Sequence, residues 1–234
     1  MNILITGATR GIGKAIAEVL KNEGNIYAAA RNEDLLKEYK NYCVCDLSSI
    51  KGMEKLGLFI EKNNIDVLIN NAGIYLESPM LKPMNIEHLE QSLRVNLQAP
   101  LYLISKAVPY MKANGFGRIV NIGSISGVMG EAYASVYSAT KAGLIGATKS
   151  IALELAEYGI TINTINPGWV ETELGNDSIE SGDLTKEEII SCIPQKRFIT
   201  PEEIGNMVKY LISKEAKGVT GQSINLCAGL SVGY

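Results

Sequence analysis

The sequence predicts an α/β fold in which a doubly wound parallel sheet carries helices on both faces. Short, continuous runs of valine, isoleucine and leucine are typical of strands buried on both sides, and they alternate with segments of helical period along most of the 234 residues. A glycine-rich segment, residues 7–13, separates the first run from the first helical segment. Repeated β-α units with right-handed crossovers build such a sheet, and this length suits one domain spanning residues 1–234.

The apolar runs and the helical segments predict the elements in order. Strands are predicted over residues 3–6, 26–30, 42–45, 65–70, 117–123, 160–166 and 223–226. Helices are predicted between them, over residues 11–23, 33–39, 50–62, 85–113, 135–158 and 201–213. Pro100 and Pro109 are expected to bend or split the longest early helix, because proline removes a helical hydrogen bond.

Residues 171–197 interrupt this alternation directly after the sixth strand. The segment is polar and acidic, and it follows the carboxyl end of a strand, where doubly wound sheets bind their ligands. We therefore predict a mobile lid over a binding site. An ordinary surface loop is the alternative interpretation.

Composition and charge exclude several functional classes. A net charge of −3 and a pI of about 5.4 leave no basic surface for nucleic acid or an anionic membrane. No apolar run reaches the ~18 residues that a membrane span requires. A single histidine, His88, and four cysteines without zinc or redox spacing predict that there is no metal site. With no signal-peptide pattern, these features predict a soluble cytoplasmic protein.

The glycine-rich segment predicts a loop that binds a dinucleotide. It follows a strand and opens a helix, where glycines let the backbone approach a pyrophosphate and the helix N-terminus supplies N–H donors. The spacing is G-x-x-x-G-x-G rather than the more general G-x-G-x-x-G. The cofactor-binding residues predicted in this loop are Gly7, Thr9, Arg10, Gly11, Ile12 and Gly13.

The residue after the second strand predicts which dinucleotide is bound. Arg31 stands where an acidic residue would bind the ribose 2′-hydroxyl of NAD, and its guanidinium, with that of Arg10, suits a 2′-phosphate. NADP(H) is therefore favoured over NAD(H), the alternative being that Arg31 is a solvated surface residue. Asp46, after the third strand, is placed to accept from the adenine amino group. The other cofactor-binding residues predicted at this edge are Leu47, Asn71, Ala72 and Gly73.

Tyr137 and Lys141 form the predicted catalytic pair. They are four residues apart on one predicted helix and therefore share a face. A nearby cation lowers the pKa of a tyrosine, ordinarily about 10, by roughly 1–3 units, which suits an acid or base near neutral pH. Ser124, after the fifth strand, reaches the same sheet edge and can hydrogen-bond a carbonyl. Asn96 is expected to interrupt the 85–113 helix and hold a water molecule.

These motifs resemble those of the short-chain dehydrogenase/reductase family. Those that match in family order and spacing are TGATRGIG at 6–13, NNAG at 70–73, Asn96, Ser124, Tyr137-x-x-x-Lys141, PGWVET at 167–172 and TGQ at 220–222. The similarity covers nearly the whole chain and is greatest to 3-oxoacyl-[acyl-carrier-protein] reductases and related carbonyl reductases. It implies a Rossmann-like fold.

The resemblance also implies a mechanism. Tyr137 would donate a proton to a substrate carbonyl as hydride leaves the nicotinamide, and Ser124 would polarise that carbonyl. Lys141 would bind the nicotinamide ribose and lower the pKa of Tyr137, while Asn96 holds a water that links Lys141 to solvent. The residues implied to contact the nicotinamide are Pro167, Gly168, Val170 and Thr172.

The implied activity is the NADPH-dependent reduction of a ketone, for instance a 3-oxoacyl thioester, to a secondary alcohol. One alternative is an NAD(P)-dependent alcohol, polyol or hydroxysteroid dehydrogenase that works oxidatively. Another is a protein that senses a dinucleotide without turnover. A homodimer or homotetramer is also expected, because the family packs the corresponding helix across a two-fold interface. The small residues of that helix are Ala139, Ala142, Gly143, Gly146, Ala147 and Ser150.

Overall fold

The computed structural model describes residues 1–172 and 185–232, and within them the strands form one parallel sheet. The strands are β1 (Asn2–Thr6), β2 (Asn25–Ala30), β3 (Asn41–Val44), β4 (Val67–Asn70), β5 (Gly117–Ile122), β6 (Ile160–Pro167) and β7 (Ser223–Leu226). Their order across the sheet is β3-β2-β1-β4-β5-β6-β7. This is the predicted doubly wound α/β architecture.

Helices connect successive strands in this sheet. They are α1 (Gly11–Leu20), α2 (Glu33–Leu36), α3 (Ile50–Asn63), α4 (Ile86–Leu93), α5 (Ala99–Asn114), α6 (Ser126–Met129), α7 (Ser135–Leu155), α8 (Lys186–Cys192) and α9 (Pro201–Ile212). A π-helical turn, Arg94–Gln98, joins α4 to α5, and a 3₁₀ turn, Ala156–Tyr158, follows α7. Within the described residues, none of these helices is both long and apolar enough to cross a bilayer.

The order of winding reverses beside β1. The chain runs outward from β1 through β2 to β3 and then returns to place β4 on the other side of β1. The connections after β1 and β4 therefore leave on opposite sides of the sheet. A crevice forms at their carboxyl ends, where this class of sheet binds ligands.

Both faces of the sheet are buried, which explains the continuous apolar runs. Ile3 and Ile5 of β1 pack into one core, whereas Leu4 between them packs into the other. The first core includes residues of α1 and α9, and the second includes residues of α3 and α5. Burying each such side chain contributes about 1.5–3 kcal/mol, so a polar residue inside β1 would be costly on either face.

The predicted helix over residues 85–113 is divided, but not at its prolines as predicted. Pro100 is the second residue of α5, directly after the π-helical turn Arg94–Gln98, and α5 continues through Pro109. The division falls at the π-helical turn Arg94–Gln98, which contains Asn96. An inserted π turn often marks a functional site.

Some predicted bounds also differ from those of the structure. The first two helices are shorter than predicted, ending at Leu20 and Leu36, and the short α6 was not expected. The predicted lid over residues 171–197 is not irregular throughout, since its later part forms α8, started by a capping box of Thr185 and Glu188. Residues 173–184 of that prediction lie outside the described residues.

The predicted homodimer or homotetramer stays a prediction. Ala139, Ala142 and Gly146 are exposed on α7, and a Cβ added at Gly146 would meet no atom within 4 Å. These three small residues of α7 therefore lie on the surface of the subunit and do not pack inside it.

Candidate active site

The glycine-rich loop is a close turn that only glycine permits at two positions. Gly7 and Gly11 have φ values of +67° and +50°, and the Gly7 N–H donates to the Ala29 carbonyl at 2.7 Å. A Cβ on Gly13 would lie 2.2 Å from the Gly7 carbonyl oxygen. The loop therefore brings bare backbone and the N-terminus of α1 to the crevice. Such a cradle fits the pyrophosphate of a dinucleotide.

Thr6 and Asn71 fasten this loop to the end of β4. The Thr6 hydroxyl oxygen accepts from the N–H groups of Asn71 (3.0 Å) and Ala72 (2.9 Å). The Asn71 side-chain amide donates to the carbonyls of Thr6 (2.8 Å) and Gly7 (3.2 Å). Sequence reasoning missed this role of Thr6. The only signal was a hydroxyl residue at the carboxyl end of an apolar strand.

Arg31 and Asp46 lie at the far side of the cleft, after β2 and β3. Partial desolvation raises the pKa of Asp46, but hydrogen bonds from Ser48 and the charge of Arg31 outweigh it and hold the pKa below its usual range. The Ser48 N–H donates to Asp46 Oδ1 at 2.9 Å. Asp46 is therefore an ionised acceptor beside a cation, as recognition of an adenosine with a phosphorylated ribose requires.

Lys141 and Asn96 meet around Gly73. The Lys141 ammonium donates to the Ile122 carbonyl at 2.9 Å. The Asn96 amide grips the backbone of Ile74, accepting from its N–H at 2.9 Å and donating to its carbonyl at 2.8 Å. A Cβ on Gly73 would lie 3.4 Å from Asn96 Oδ1 and 3.5 Å from Lys141 Nζ, so glycine leaves the three elements close together.

Burial sets the protonation states of the catalytic pair. Burial lowers the pKa of Lys141 to about 8 and raises the pKa of Tyr137 to about 12. A hydrogen bond with Ser124 partly offsets the rise for Tyr137, and the charge of Glu131 adds to it. The predicted lowering of the Tyr137 pKa is therefore wrong here. The Lys141 ammonium bonds the Ile122 carbonyl and lies 5.5 Å from the centre of the Tyr137 ring.

Ser124 belongs to a chain of hydroxyl groups that ends on a carboxylate. Its hydroxyl donates to Ser126 Oγ at 3.0 Å and accepts from the Ser126 N–H at 3.1 Å. The Ser126 hydroxyl donates in turn to the Glu131 carboxylate, which also accepts from the Tyr75 hydroxyl at 3.4 Å. The rings of Tyr75 and Tyr137 meet edge to face at 5.3 Å. Sequence reasoning missed Tyr75, Ser126 and Glu131.

A second chain of buried polar groups fixes α7 on the sheet. The Asn70 amide donates to Asn121 Oδ1 at 2.9 Å, and the Asn121 amide donates to the Thr148 hydroxyl at 3.0 Å. Thr148 shares a hydrogen bond of 2.8 Å with Thr164. Because a buried polar group is costly unless it is paired, this network favours one position of α7 along β4, β5 and β6. Tyr137 and Lys141 are thereby aimed at the sheet edge.

The segment after β6 closes the remaining side of the crevice. The Ile125 N–H donates to the Pro167 carbonyl at 2.9 Å, and the Gly168 N–H donates to the Leu226 carbonyl at 3.0 Å. The Thr172 side chain lies 3.5 Å from the position of a Cβ on Gly11. The segment therefore lies against the glycine-rich loop.

A cleft of about 670 Å³ brings nearly all the predicted site residues together. This volume suits a cofactor-sized ligand. The predicted residues that line it are Gly7, Thr9, Arg10, Gly11, Ile12, Gly13, Arg31, Asp46, Leu47, Asn71, Ala72, Gly73, Ser124, Tyr137, Lys141, Pro167, Gly168, Val170 and Thr172. Asn96 is outside this lining and lies behind Gly73. In the part of the chain that the structure describes, no group of three or more His, Cys, Asp or Glu side chains is placed to hold a metal ion.

Comparison with known proteins agrees with this geometry. The family model described as enoyl-(acyl carrier protein) reductase, adh_short_C2, matches residues 7–231. A 3-oxoacyl-[acyl-carrier-protein] reductase of Rickettsia bellii is 38% identical over 235 residues, which are 97% of this chain and 95% of that protein.

Two solved structures extend the comparison. An actinorhodin polyketide ketoreductase with NADPH superimposes with a TM-score of 0.92 at 34% identity, covering 99% of this chain and 97% of its own. An enzyme assigned as an NAD(P)-dependent gluconate 5-dehydrogenase of Beutenbergia cavernae, with bound NADP, has a TM-score of 0.91 at 30% identity, with coverage of 99% and 97%. The glycine-rich loop, the Tyr137–Lys141 pair and these full-length similarities lead to one conclusion: the chain belongs to the short-chain dehydrogenase/reductase family and is an oxidoreductase.

Proposed function

We propose that the protein uses NADPH to reduce the ketone of a 3-oxoacyl thioester to a secondary alcohol. The observation that supports this most is the meeting of Tyr137, Ser124 and Lys141 at one end of a cleft whose other end is the glycine-rich loop. A proton donor, a carbonyl ligand and a cradle for a dinucleotide are thus held in one crevice. Its relatives include 3-oxoacyl-[acyl-carrier-protein] reductases and a polyketide ketoreductase with NADPH.

The residues of the cleft fit NADPH. Gly7, Gly11 and Gly13 would hold the pyrophosphate, and Gly13 also lets α1 pack closely on the loop, since a Cβ there would collide with the Gly7 carbonyl. Arg31 and Arg10 would bind the 2′-phosphate, and Asp46 the adenine amino group. The residues proposed to hold the nicotinamide end are Asn71, Ala72, Gly73, Lys141, Pro167, Gly168, Val170 and Thr172.

When bound, the cofactor supplies a hydride for the carbonyl carbon of the substrate. Tyr137 holds the proton that the carbonyl oxygen takes up, and Ser124 fixes that oxygen by a hydrogen bond. Lys141 places a positive charge beside the developing phenolate and stabilises it. Asn96 holds the Ile74 backbone against the ammonium, keeping Lys141 at the sheet edge. Proximity and orientation supply much of the lowering of the barrier.

The raised pKa of Tyr137 is consistent with its role as a general acid. With a pKa of about 12, only about one Tyr137 in 10⁵ is a phenolate at pH 7. A general acid must start protonated, whereas a base that removes a proton from an alcohol must start as a phenolate. The alternative of an oxidative polyol or alcohol dehydrogenase would need that phenolate.

The lining of the cleft supports a neutral acyl group as substrate. The apolar side chains of Met129, Trp169 and Leu230 are among those that line the cleft. These side chains offer apolar contacts to a short acyl chain beside the reacting carbonyl.

A substrate panel tests the proposal. NADPH oxidation, followed by its absorbance, is expected with acetoacetyl-CoA and with the neutral analogue ethyl acetoacetate, and it should be slower with NADH. The same preparation is tested with gluconate, secondary alcohols and hydroxysteroids together with NADP⁺ and NAD⁺. Turnover confined to a polyol or a steroid would overturn the proposed substrate. Tight NADPH binding without any turnover would favour a dinucleotide sensor.

A further inference from the structure

Glu131 lies at the substrate end of the cleft, although the mechanism above gives it no part. It follows α6 and lines the same cavity as Tyr137 and Ser124. Its two carboxylate oxygens accept hydrogen bonds from two different elements, one from Ser126 and one from the Tyr75 hydroxyl. These two hydrogen bonds hold the carboxylate in place at this end of the cleft.

The carboxylate of Glu131 forms no ion pair with a described residue. Among residues 1–172 and 185–232, no lysine or arginine forms an ion pair with it. The two arginines that line the cleft, Arg10 and Arg31, follow β1 and β2, whereas Glu131 follows β5. In the sheet order, β1 and β5 are two strand spacings apart and β2 and β5 three, roughly 10 and 14 Å between the strands. Lys141 is the nearest cation of the lining, and it bonds the Ile122 carbonyl.

Glu131 is close to the reacting atoms. Ser126 bonds both Glu131 and Ser124, so two hydrogen bonds separate the carboxylate from the Ser124 hydroxyl, a distance of roughly 6 Å at most. The charge is also felt at the catalytic hydroxyl, because it contributes to the raised pKa of Tyr137. A group bonded within two or three atoms of the reacting carbonyl would lie within the field of this carboxylate.

We propose that Glu131 determines specificity by rejecting ketones that carry a negative charge next to the reacting carbonyl. This deepens the proposed function and rests on it. A neutral 3-oxo ester or thioester would be admitted, whereas the corresponding 3-oxo acid would be repelled. The phosphate groups of a thioester carrier lie many bonds from the carbonyl, where solvent and salt screen the repulsion, and they would be tolerated.

The test compares ethyl acetoacetate with acetoacetate, which has a negative charge where the ester has an ethyl group, and the change of their ratio between variants isolates the effect of charge. The ratio of their kcat/KM values is measured with NADPH for the wild type and for Glu131→Gln, which keeps the size and one acceptor oxygen for Ser126. At about 8 Å and an effective dielectric constant between those of water and the protein surface, the repulsion corresponds to about tenfold in this ratio. Glu131→Gln should lower the preference for the ester by about that factor, through faster reduction of acetoacetate.

Three further variants sharpen the measurement. Glu131→Asp keeps the charge and should retain most of the preference, and Glu131→Lys should lower it further than the glutamine does. Glu87→Gln makes the same change of charge on the exposed surface of α4 and should leave the ratio unchanged. Because each ratio comes from one preparation, any loss of folded protein cancels.

The outcomes separate this inference from the proposed function. An unchanged ratio in Glu131→Gln, with both substrates reduced, would overturn the role of Glu131 and leave the proposed function standing. A wild type that reduces neither acetoacetyl-CoA nor ethyl acetoacetate would overturn the proposed function and this inference with it.

Discussion

The two ends of the cleft are formed by different kinds of group, backbone at one end and side chains at the other. At the cofactor end, the glycine-rich loop presents backbone and a helix N-terminus, and its shape follows from residues within one short segment, 6–13. At the substrate end, Tyr75, Ser126, Glu131 and Tyr137 come from separate loops and helices, and the groups that touch are up to 62 residues apart, as Tyr75 and Tyr137 are. The comparison teaches that the backbone conformation of the glycine-rich loop is specified mostly by its own glycines, whereas the substrate end is specified only by the assembled fold.

The largest effect is expected for Tyr137→Phe, which changes the substrate end and leaves the cofactor end as it is. Tyr137→Phe removes the proposed proton donor while leaving the glycine-rich loop intact, so kcat should fall by about 10²–10⁴-fold. NADPH affinity, measured by fluorescence titration, should stay within about twofold of the wild type. Retention of full activity would show that another group supplies the proton.

Lys141→Met tests whether the buried charge that catalysis needs lowers the free energy of unfolding. The pKa of Lys141 is lowered to about 8 in the folded chain, so the unfolded chain holds that proton more tightly between pH 8 and about 10.5. Protonated Lys141 therefore opposes folding below pH 8, and this penalty disappears as the pH rises through the window. Removing the lysine should raise the free energy of unfolding at pH 7 by about 3 kcal/mol and abolish most activity.

The measurement for Lys141 is urea unfolding of both proteins at pH 7 and pH 10. The advantage of Lys141→Met should shrink at the higher pH. The measurements stop at pH 10 because Tyr137, whose pKa is raised, makes folding less favourable as the pH rises further. An equal difference in unfolding free energy between the wild type and Lys141→Met at pH 7 and pH 10 would contradict a buried charge on Lys141.

Arg31→Asp tests how the cofactor end distinguishes NADPH from NADH. Replacing the cation by a carboxylate should remove a charge-assisted contact to the 2′-phosphate, and the preference for NADPH over NADH in kcat/KM should fall by about 10- to 100-fold. Lys37→Asp is a matched control, because Lys37 is exposed close by and does not line the cleft. Equal shifts in both variants would mean that the effect is only one of net charge.

Gly13→Ala gives the smallest expected change. The added Cβ would lie 2.2 Å from the Gly7 carbonyl oxygen, so the loop must move, at a cost of about 1–3 kcal/mol of unfolding free energy together with weaker NADPH binding. Gly218→Ala is the control, since a Cβ there meets no atom within 4 Å and should be nearly neutral. Thermal unfolding and NADPH titration of both variants measure the two effects. Equal stability and equal NADPH affinity in the two variants would show that the loop accommodates the added Cβ.

Sequence reasoning was most successful where the signal is local. The predicted residues of the glycine-rich loop line the cleft, and the spacing of Tyr137 and Lys141 placed both side chains at one sheet edge. It was less successful for the helix over residues 85–113. The prolines, which are local signals, predicted the wrong breaks. The actual break at Arg94–Gln98 lets Asn96 hold Ile74, a contact that depends on a distant loop.

The sequence by itself determined the alternation of strands and helices, the glycine-rich loop and the pairing of Tyr137 with Lys141, because each depends on a periodicity or conformation of a few consecutive residues. The tertiary structure decided the carboxylate of Glu131 at the substrate end and the direction of both catalytic pKa shifts. Burial and hydrogen bonding depend on which distant segments pack together, and here burial and the charge of Glu131 raise the pKa of Tyr137 more than its hydrogen bond with Ser124 lowers it.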